Sequence, residues 1–208
     1  MADNTTVFKT LAKVGGVIGK GLIAGFAGTA AITVSQMIAM QLTNRGMSSA
    51  PAKVGGKVLG VEPRGKAELE KEKASSDQHE APQELQEEVE MNKQVFSQLM
   101  HFGYGTGWGL VRGGLDLAQV NGWPATAIHF GAIWGTAQVM LPAANAAKPI
   151  TKWSARQIVL DVLHHAVYAV AAGVVYDAMN KAEETKSKKK KKDKKKKNKK
   201  GKKKKNKS

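Results

Sequence analysis

The chain has 208 residues, with 33 lysine and arginine against 17 aspartate and glutamate, and no cysteine. Disulfides, a thiol nucleophile and cysteine-based zinc or iron–sulfur sites are therefore excluded, and any metal would need His, Asp or Glu. The formal charge of +16 sits in one place: residues 186–208 hold seventeen lysines and one aspartate, so the sixteen basic and sixteen acidic residues of the body cancel.

In chain order, residues 1–20 form a basic arm carrying Lys9, Lys13 and Lys20. The uncharged run GLIAGFAGTAAITVSQMIAMQL, residues 21–42, follows. About twenty helical residues cross a hydrocarbon core of about 30 Å, so this run reads as a first transmembrane helix. It is longer than the apolar region of a cleaved signal peptide, which is about 7 to 15 residues. Gly21, Gly25 and Gly28 set up the small-residue spacing that lets membrane helices pack closely.

Residues 43–93 are a polar insert. A short helix is expected after Ser49-Ala50-Pro51, with Val54, Val58, Leu59 and Val61 as an apolar edge lying on the membrane surface. Residues 62–76 are charged without apolar periodicity and read as a solvated helix or as disordered. From Pro82 onward the composition stays helical into the next apolar stretch, as a water-exposed extension of it.

The second span, residues 94–118, carries two glycine ridges. Gly105, Gly109 and Gly113 lie on one face; Gly103, Gly107 and Gly114 lie nearly opposite. No strand precedes them and no acidic residue follows at the spacing of a dinucleotide fingerprint, so a phosphate loop is not indicated. A helix packed on both sides, central in the bundle, is expected instead. Arg112 and Asp116 are four apart, the spacing of a helical ion pair, and near a span end Arg112 can also snorkel to the surface.

After Asn121-Gly122-Trp123 comes the third span, residues 124–144, with Pro124 at its start, His129 as its titratable group, and Gly131 and Gly135 as another small-residue pair. Trp123, Trp134 and Trp153 are candidates for packing or for interfacial belts. The fourth span, residues 156–178, is the most informative. It is apolar enough for lipid, yet Asp161, His164 and His165 share one face with Tyr168, Ala172 and Tyr176, within about 60° at 100° per residue. A carboxylate at the centre of a membrane helix costs roughly 2.5 to 3.5 kcal/mol on insertion scales, so this face should meet other helices or a water-filled cavity.

Counting from the ends of antiparallel spans sorts the polar groups into two layers. Gln36, His101, Asp161, His164 and His165 fall in one; His129 with Arg112 and Asp116 falls in the other. Three readings of the first layer stand side by side. The polar groups join helices by hydrogen bonds; or Asp161 and the histidines form a proton or cation pathway; or His101 with His164 or His165 holds a haem for electron transfer. No serine-nucleophile motif, HExxH or paired-carboxylate arrangement is present, so the chain does not read as an enzyme, and no cofactor or metal is assigned.

The expected fold is thus all-α, an integral membrane bundle of four glycine-rich transmembrane helices ending in a disordered polylysine tail, residues 186–208. The expected partners are the lipid bilayer, anionic headgroups bound by the tail, non-specific nucleic acid, and a second copy of the chain as a homo-oligomer. An even number of spans with Lys9, Lys13, Lys20 and the tail places both termini in the cytoplasm. Lys148, Lys152 and Arg156 argue the other way.

The stretches GLIAGFAGTAA, HFGYGTGWGLVRG, IHFGAIWG with Pro142 following, and LHHAVYAVAAGVVYD resemble small multi-span bacterial membrane proteins of the YagU type. That resemblance covers the spans and implies a multi-pass inner-membrane protein without an assigned activity, so it supplies no catalytic residue. The acidic insert and the lysine tail depart from the family pattern. The function expected is a non-enzymatic membrane scaffold or envelope component.

Overall fold

A computed structural model describes residues 4–44, 46, 48–75 and 82–205, with side chains except at Asn4, Ser75 and 197–205. The remaining parts of the basic arm, the insert and the lysine tail lie outside the described residues. The fold is all-helical: α1 (Asn4–Thr43), α2 (Ala50–Leu59), α3 (Lys66–Ser75), α4 (Gln83–Leu117), α5 (Gly122–Ala143), a short 3-10 turn (Ile150–Lys152) and α6 (Ala155–Lys205). Two of these, α1 and α6, are long and apolar enough to cross a membrane. The helices α4 and α5 fall short of that measure, and their sequences say why: glycines, His101, Arg112 and Asp116 dilute α4, and His129, Gln138 and small residues dilute α5.

The long helices alternate in direction around a ring, α1 to α4 to α5 to α6 and back to α1. Helix α1 packs most extensively, on α4 and α6, while α4 touches the largest number of neighbours, α1, α2, α3, α5 and α6. Antiparallel pairing of α1 with α4 is read directly from the glycines. A Cβ on Gly21 would stand 2.7 Å from the Gly109 carbonyl oxygen, one on Gly25 would press on Gly109 and Thr106, and one on Gly113 would meet Val17 at 2.9 Å. Gly105 faces Thr29, and Gly28 faces the Tyr168 ring of α6 at 2.8 Å. Six of the eight packing glycines expected from spacing therefore lie at helix contacts. Gly131 and Gly135 do not, because a Cβ at either meets nothing within 4 Å. The second ridge of α4 at Gly103, Gly107 and Gly114 is equally open, so α4 is tightly packed on one side only.

Helix ends are built locally. Gln119 and Asn145 take left-handed backbone angles (φ 63° and 54°). In both places the next residue's N–H reaches back five positions, Val120 to Leu115 and Ala146 to Leu141, closing Schellman caps that satisfy orphan carbonyls. Helix α6 opens on a capping box. Gln157 N–H donates to Ser154 Oγ (3.3 Å), and the Gln157 side chain accepts from Ser154 N–H (2.9 Å).

The insert is more ordered than its composition suggests. Helix α2 starts with Pro51 in its first turn and ends at Gly60 (φ 65°). Val54 is buried, while Val58, Leu59 and Val61 stay exposed. Helix α2 packs on α4, and Lys57 Nζ donates to the Ala143 carbonyl at the end of α5 (2.6 Å). Helix α3 is a solvated helix resting on α4, with Val89 under Gly65; Lys66 donates to Glu62 (2.7 Å), a bond that raises the Lys66 pKa above its ordinary value. Helix α4 runs unbroken from Gln83, as the expected extension of the second span.

The tail departs from expectation. Helix α6 continues beyond residue 178, the expected end of the fourth span, and through the lysines to Lys205, where disorder from residue 186 was expected. Lysine is a good helix former, and extension from a helix already fixed in the bundle needs no new nucleus. Lys188 and Glu184, one turn apart at 3.6 Å, bridge the junction.

Candidate functional site

The residues of the first expected layer meet on one cavity, whereas those of the second do not assemble as expected: Arg112 and Asp116 each turn to α6, and His129 stands apart from them. At the end where α1 finishes, the four long helices, α2 and the α5–α6 loop line a cavity of about 1120 Å³ that is open on one side. Gln36, His101, Asp161, His164 and His165, the five residues of the first layer, all line it. Asp161 is held by α5: Trp134 Nε1 and Gln138 Nε2 donate to the same carboxylate oxygen at 2.9 and 3.2 Å. His165 Nδ1 donates to the Asp161 carbonyl (2.8 Å) and lies 3.6 Å from the other carboxylate oxygen. The remaining histidines are tied to α1: His164 Nδ1 to Ser35 Oγ (2.8 Å), and His101 Nε2 to Thr33 Oγ1 (3.2 Å).

Each contact joins two helices except that of His165, so the layer stitches α1 to α4, α1 to α6 and α5 to α6. Among the described residues no group of three or more His, Asp or Glu is placed to hold a metal ion. With Nε2 engaged by Thr33, His101 has only Nδ1 left to offer a haem iron.

The second layer is a closed clasp. Arg112 does not pair with Asp116 and does not snorkel; its side chain is fully buried and binds Asp177 of α6. Asp116 is occupied by α6 as well, accepting from Tyr176 Oη and Asn180 Nδ2, both at 3.0 Å. The Arg112 guanidinium lies over the buried Tyr176 ring, 4.7 Å from its centre, a cation–π contact in a site shielded from water. From α1, Lys20 donates to Asn180 (2.6 Å) and Glu183 (2.8 Å), closing the group across three helices. The expected i,i+4 pair does not form because Arg112 points across the bundle to Asp177 of α6, not along its own helix, and Asp116 is taken up by Tyr176 and Asn180.

His129 lies between the layers. It is fully buried, donates from Nε2 to the Trp108 carbonyl (2.9 Å) and meets the Tyr168 ring edge-on at 5.8 Å. Tyr168 donates to the Gly105 carbonyl, tying α6 to α4 at the same height. Arg112 Nε and Nη1, His129 Nδ1 and Gln138 Oε1 are buried without a hydrogen-bond partner among the described residues.

Sequence reasoning selected Gln36 on α1, whereas the hydrogen-bonding residues there are Ser35 and Thr33. Trp134 was expected as a packing or interfacial residue and not as a partner of Asp161, and Gln138 was passed over, although its i,i+4 spacing from Trp134 on an otherwise apolar helix was the available signal for a polar face. Trp153 donates to the Lys148 carbonyl (2.7 Å) at the cavity wall, and Trp123 is exposed. Gly173, which lets Thr126 of α5 approach α6, was not singled out despite its small neighbours Ala169 and Ala172. No family model, curated protein or solved structure matches the chain, so the likeness to the YagU type rests on the quoted stretches alone.

Proposed function

We propose that the chain is a multi-pass membrane protein of four spans acting as a non-enzymatic scaffold, in which a rigid bundle presents the lysine-rich end of α6 to an anionic surface. The observation that carries this reading is the distribution of side chains. Ala24, Thr29, Ala125, Thr126, His129 and Arg112 fill the interior, while Phe26, Val34, Val139, Val159, Leu163 and Val174 face outward and are exposed. A water-soluble bundle would invert this order, and an apolar exterior of such extent calls for lipid. Only 39% of the apolar window of α1 and 22% of that of α6 is buried within the fold, whereas the core helix of a soluble protein would be mostly buried.

The scaffold reading takes precedence over a conducting one because His101, Asp161 and His164 of the first layer already have partners on neighbouring helices, and His165 has one on its own helix. The cation or proton pathway is the second reading, favoured by the meeting of Asp161, His101, His164 and His165 on one cavity. Flux assays separate them. Liposomes containing the protein and a pH dye should show no more proton or cation flux than empty liposomes. Flux that disappears in Asp161→Asn would replace the scaffold with the pathway.

The surface-binding half has its own test. Removing residues 186–208 should leave the folded bundle intact while abolishing salt-sensitive attachment to anionic vesicles, since each lysine near such a surface contributes about 1 kcal/mol. Attachment that survives truncation would contradict it.

A further inference from the structure

The cavity is larger than the hydrogen bonding of its own polar groups requires. At about 1120 Å³ it matches or exceeds pockets that hold small ligands, which run roughly 300–1,000 Å³. Its lining on α1 extends from Thr29 to Thr43. At 1.5 Å per residue that is about 21 Å of helix, more than the roughly 15 Å that forms half of a bilayer's hydrocarbon core. One extended acyl chain fits such a length.

The walls are suited to an acyl chain. Met37, Met40, Met100 and Met140 line the cavity with Ile32 and Ile133, and those four are half of the eight methionines in the chain. Flexible, polarizable thioethers conform to apolar ligands without demanding one shape. Charge then selects the head. Lys148 and Lys152, from the loop between α5 and α6, also line the cavity, are exposed, and have no side-chain hydrogen bond or ion pair among the described residues. The acidic group facing them in the lining is Asp161, whose carboxylate is engaged by Trp134 and Gln138 and flanked by His165. An anionic head is thus favoured over a cationic one. Trp153 beside the lysines is of the type that settles at the headgroup level of a bilayer.

We propose that this cavity is a binding site for a long-chain fatty acid, its acyl chain among the methionines and its carboxylate on Lys148 and Lys152. The site goes beyond the scaffold reading and stands without it.

Two glycines provide the test. Gly103 lines the cavity and a Cβ there meets nothing within 4 Å, so Gly103→Phe fills the space without forcing the backbone; Gly131 is equally open but lies outside the lining, so Gly131→Phe adds the same bulk elsewhere. Native mass spectrometry of the full chain, titrated with palmitate in detergent, counts the bound molecules. One palmitate per chain is expected, lost in Gly103→Phe and kept in Gly131→Phe. Lys148→Glu with Lys152→Glu should weaken palmitate by about tenfold or more, the effect of reversing two near-surface charges, and leave palmitoyl lysophosphatidylcholine unaffected. Because both lysines are exposed, this second variant tests the site even if Gly103→Phe fails to fold. Multiple adducts undiminished by Gly103→Phe, or palmitate affinity unchanged by the charge reversal, would overturn the proposal.

Discussion

At one end of the bundle α1 and α4 meet backbone to backbone, and at the other they meet through side chains beside a cavity. Both ends bring together carboxylates, hydroxyls and basic groups from several helices. The difference lies in what surrounds them. Gly21, Gly25, Gly109 and Gly113 remove the side chains that would separate α1 from α4, and the clasp of Arg112, Asp116, Tyr176 and Asp177 closes on that tight seam. At the far end methionines, histidines and a covering α2 take the place of glycine, and the polar layer lines a space instead of filling it. Small residues decide how near two helices come; polar residues decide which faces meet.

The largest effect should come from spoiling the tight seam. A side chain at Gly109 would collide with the Gly21 carbonyl and the Gly25 amide, both backbone atoms that cannot step aside. Gly109→Leu should cost about 3 kcal/mol or more in SDS-titrated unfolding, at the upper end of overpacking. Gly107→Leu, on the open ridge of the same helix, should stay within about 0.5 kcal/mol of the parent. Equal losses in the two variants would remove the distinction between the ridges.

Next comes the clasp. Asp177→Asn leaves the buried Arg112 charge without its carboxylate, and because Asp177 is itself 39% exposed the loss should be about 2 kcal/mol, below that of a fully buried pair. The companion Asp116→Asn should lose less, since its partners Tyr176 and Asn180 are neutral: the amide oxygen can keep the Asn180 bond, and the Tyr176 hydroxyl can turn to accept from the new NH2. If Asp116→Asn costs more in the same assay, the ion pair has been assigned to the wrong carboxylate.

The smallest effect is expected at the cavity end. In Asp161→Asn the amide oxygen can keep the Trp134 and Gln138 bonds, so unfolding should shift by less than about 1 kcal/mol. A loss as large as that of Asp177→Asn would show that the first layer is as closed a clasp as the second.

What was legible in the sequence followed from cost. Asp161 and two histidines inside an apolar run had to face other helices, and they do. The i,i+4 glycines at Gly21, Gly25, Gly105, Gly109 and Gly113 announced close approach, and α1 and α4 deliver it. Spacing alone, however, cannot say whether a small residue meets a helix, a cavity or the exterior, which is why Gly131, Gly135, Gly107 and Gly114 make no close helix contact and Gly103 opens on the cavity instead. Arg112 was misassigned because a partner on its own helix is visible in sequence and a partner 65 residues away, Asp177, is not. Composition made the lysines look unstructured, yet their continuity with a helix anchored by Tyr168 and Tyr176 carries α6 to Lys205.

The proposed four spans, with both termini cytoplasmic as Lys9, Lys13, Lys20 and the lysine tail lead one to expect, are tested most directly by labelling single cysteines in intact cells, which the absence of native cysteine makes clean. Ala118, Asn145 and Ser187 are exposed and lie between α4 and α5, after α5, and on the extension of α6. With four spans and cytoplasmic termini, a membrane-impermeant maleimide should label Asn145→Cys from outside and reach Ala118→Cys and Ser187→Cys only after permeabilisation. Labelling of Ala118→Cys from outside together with Asn145→Cys would mean that α4 and α5 do not cross, and labelling of Ser187→Cys from outside would contradict the orientation.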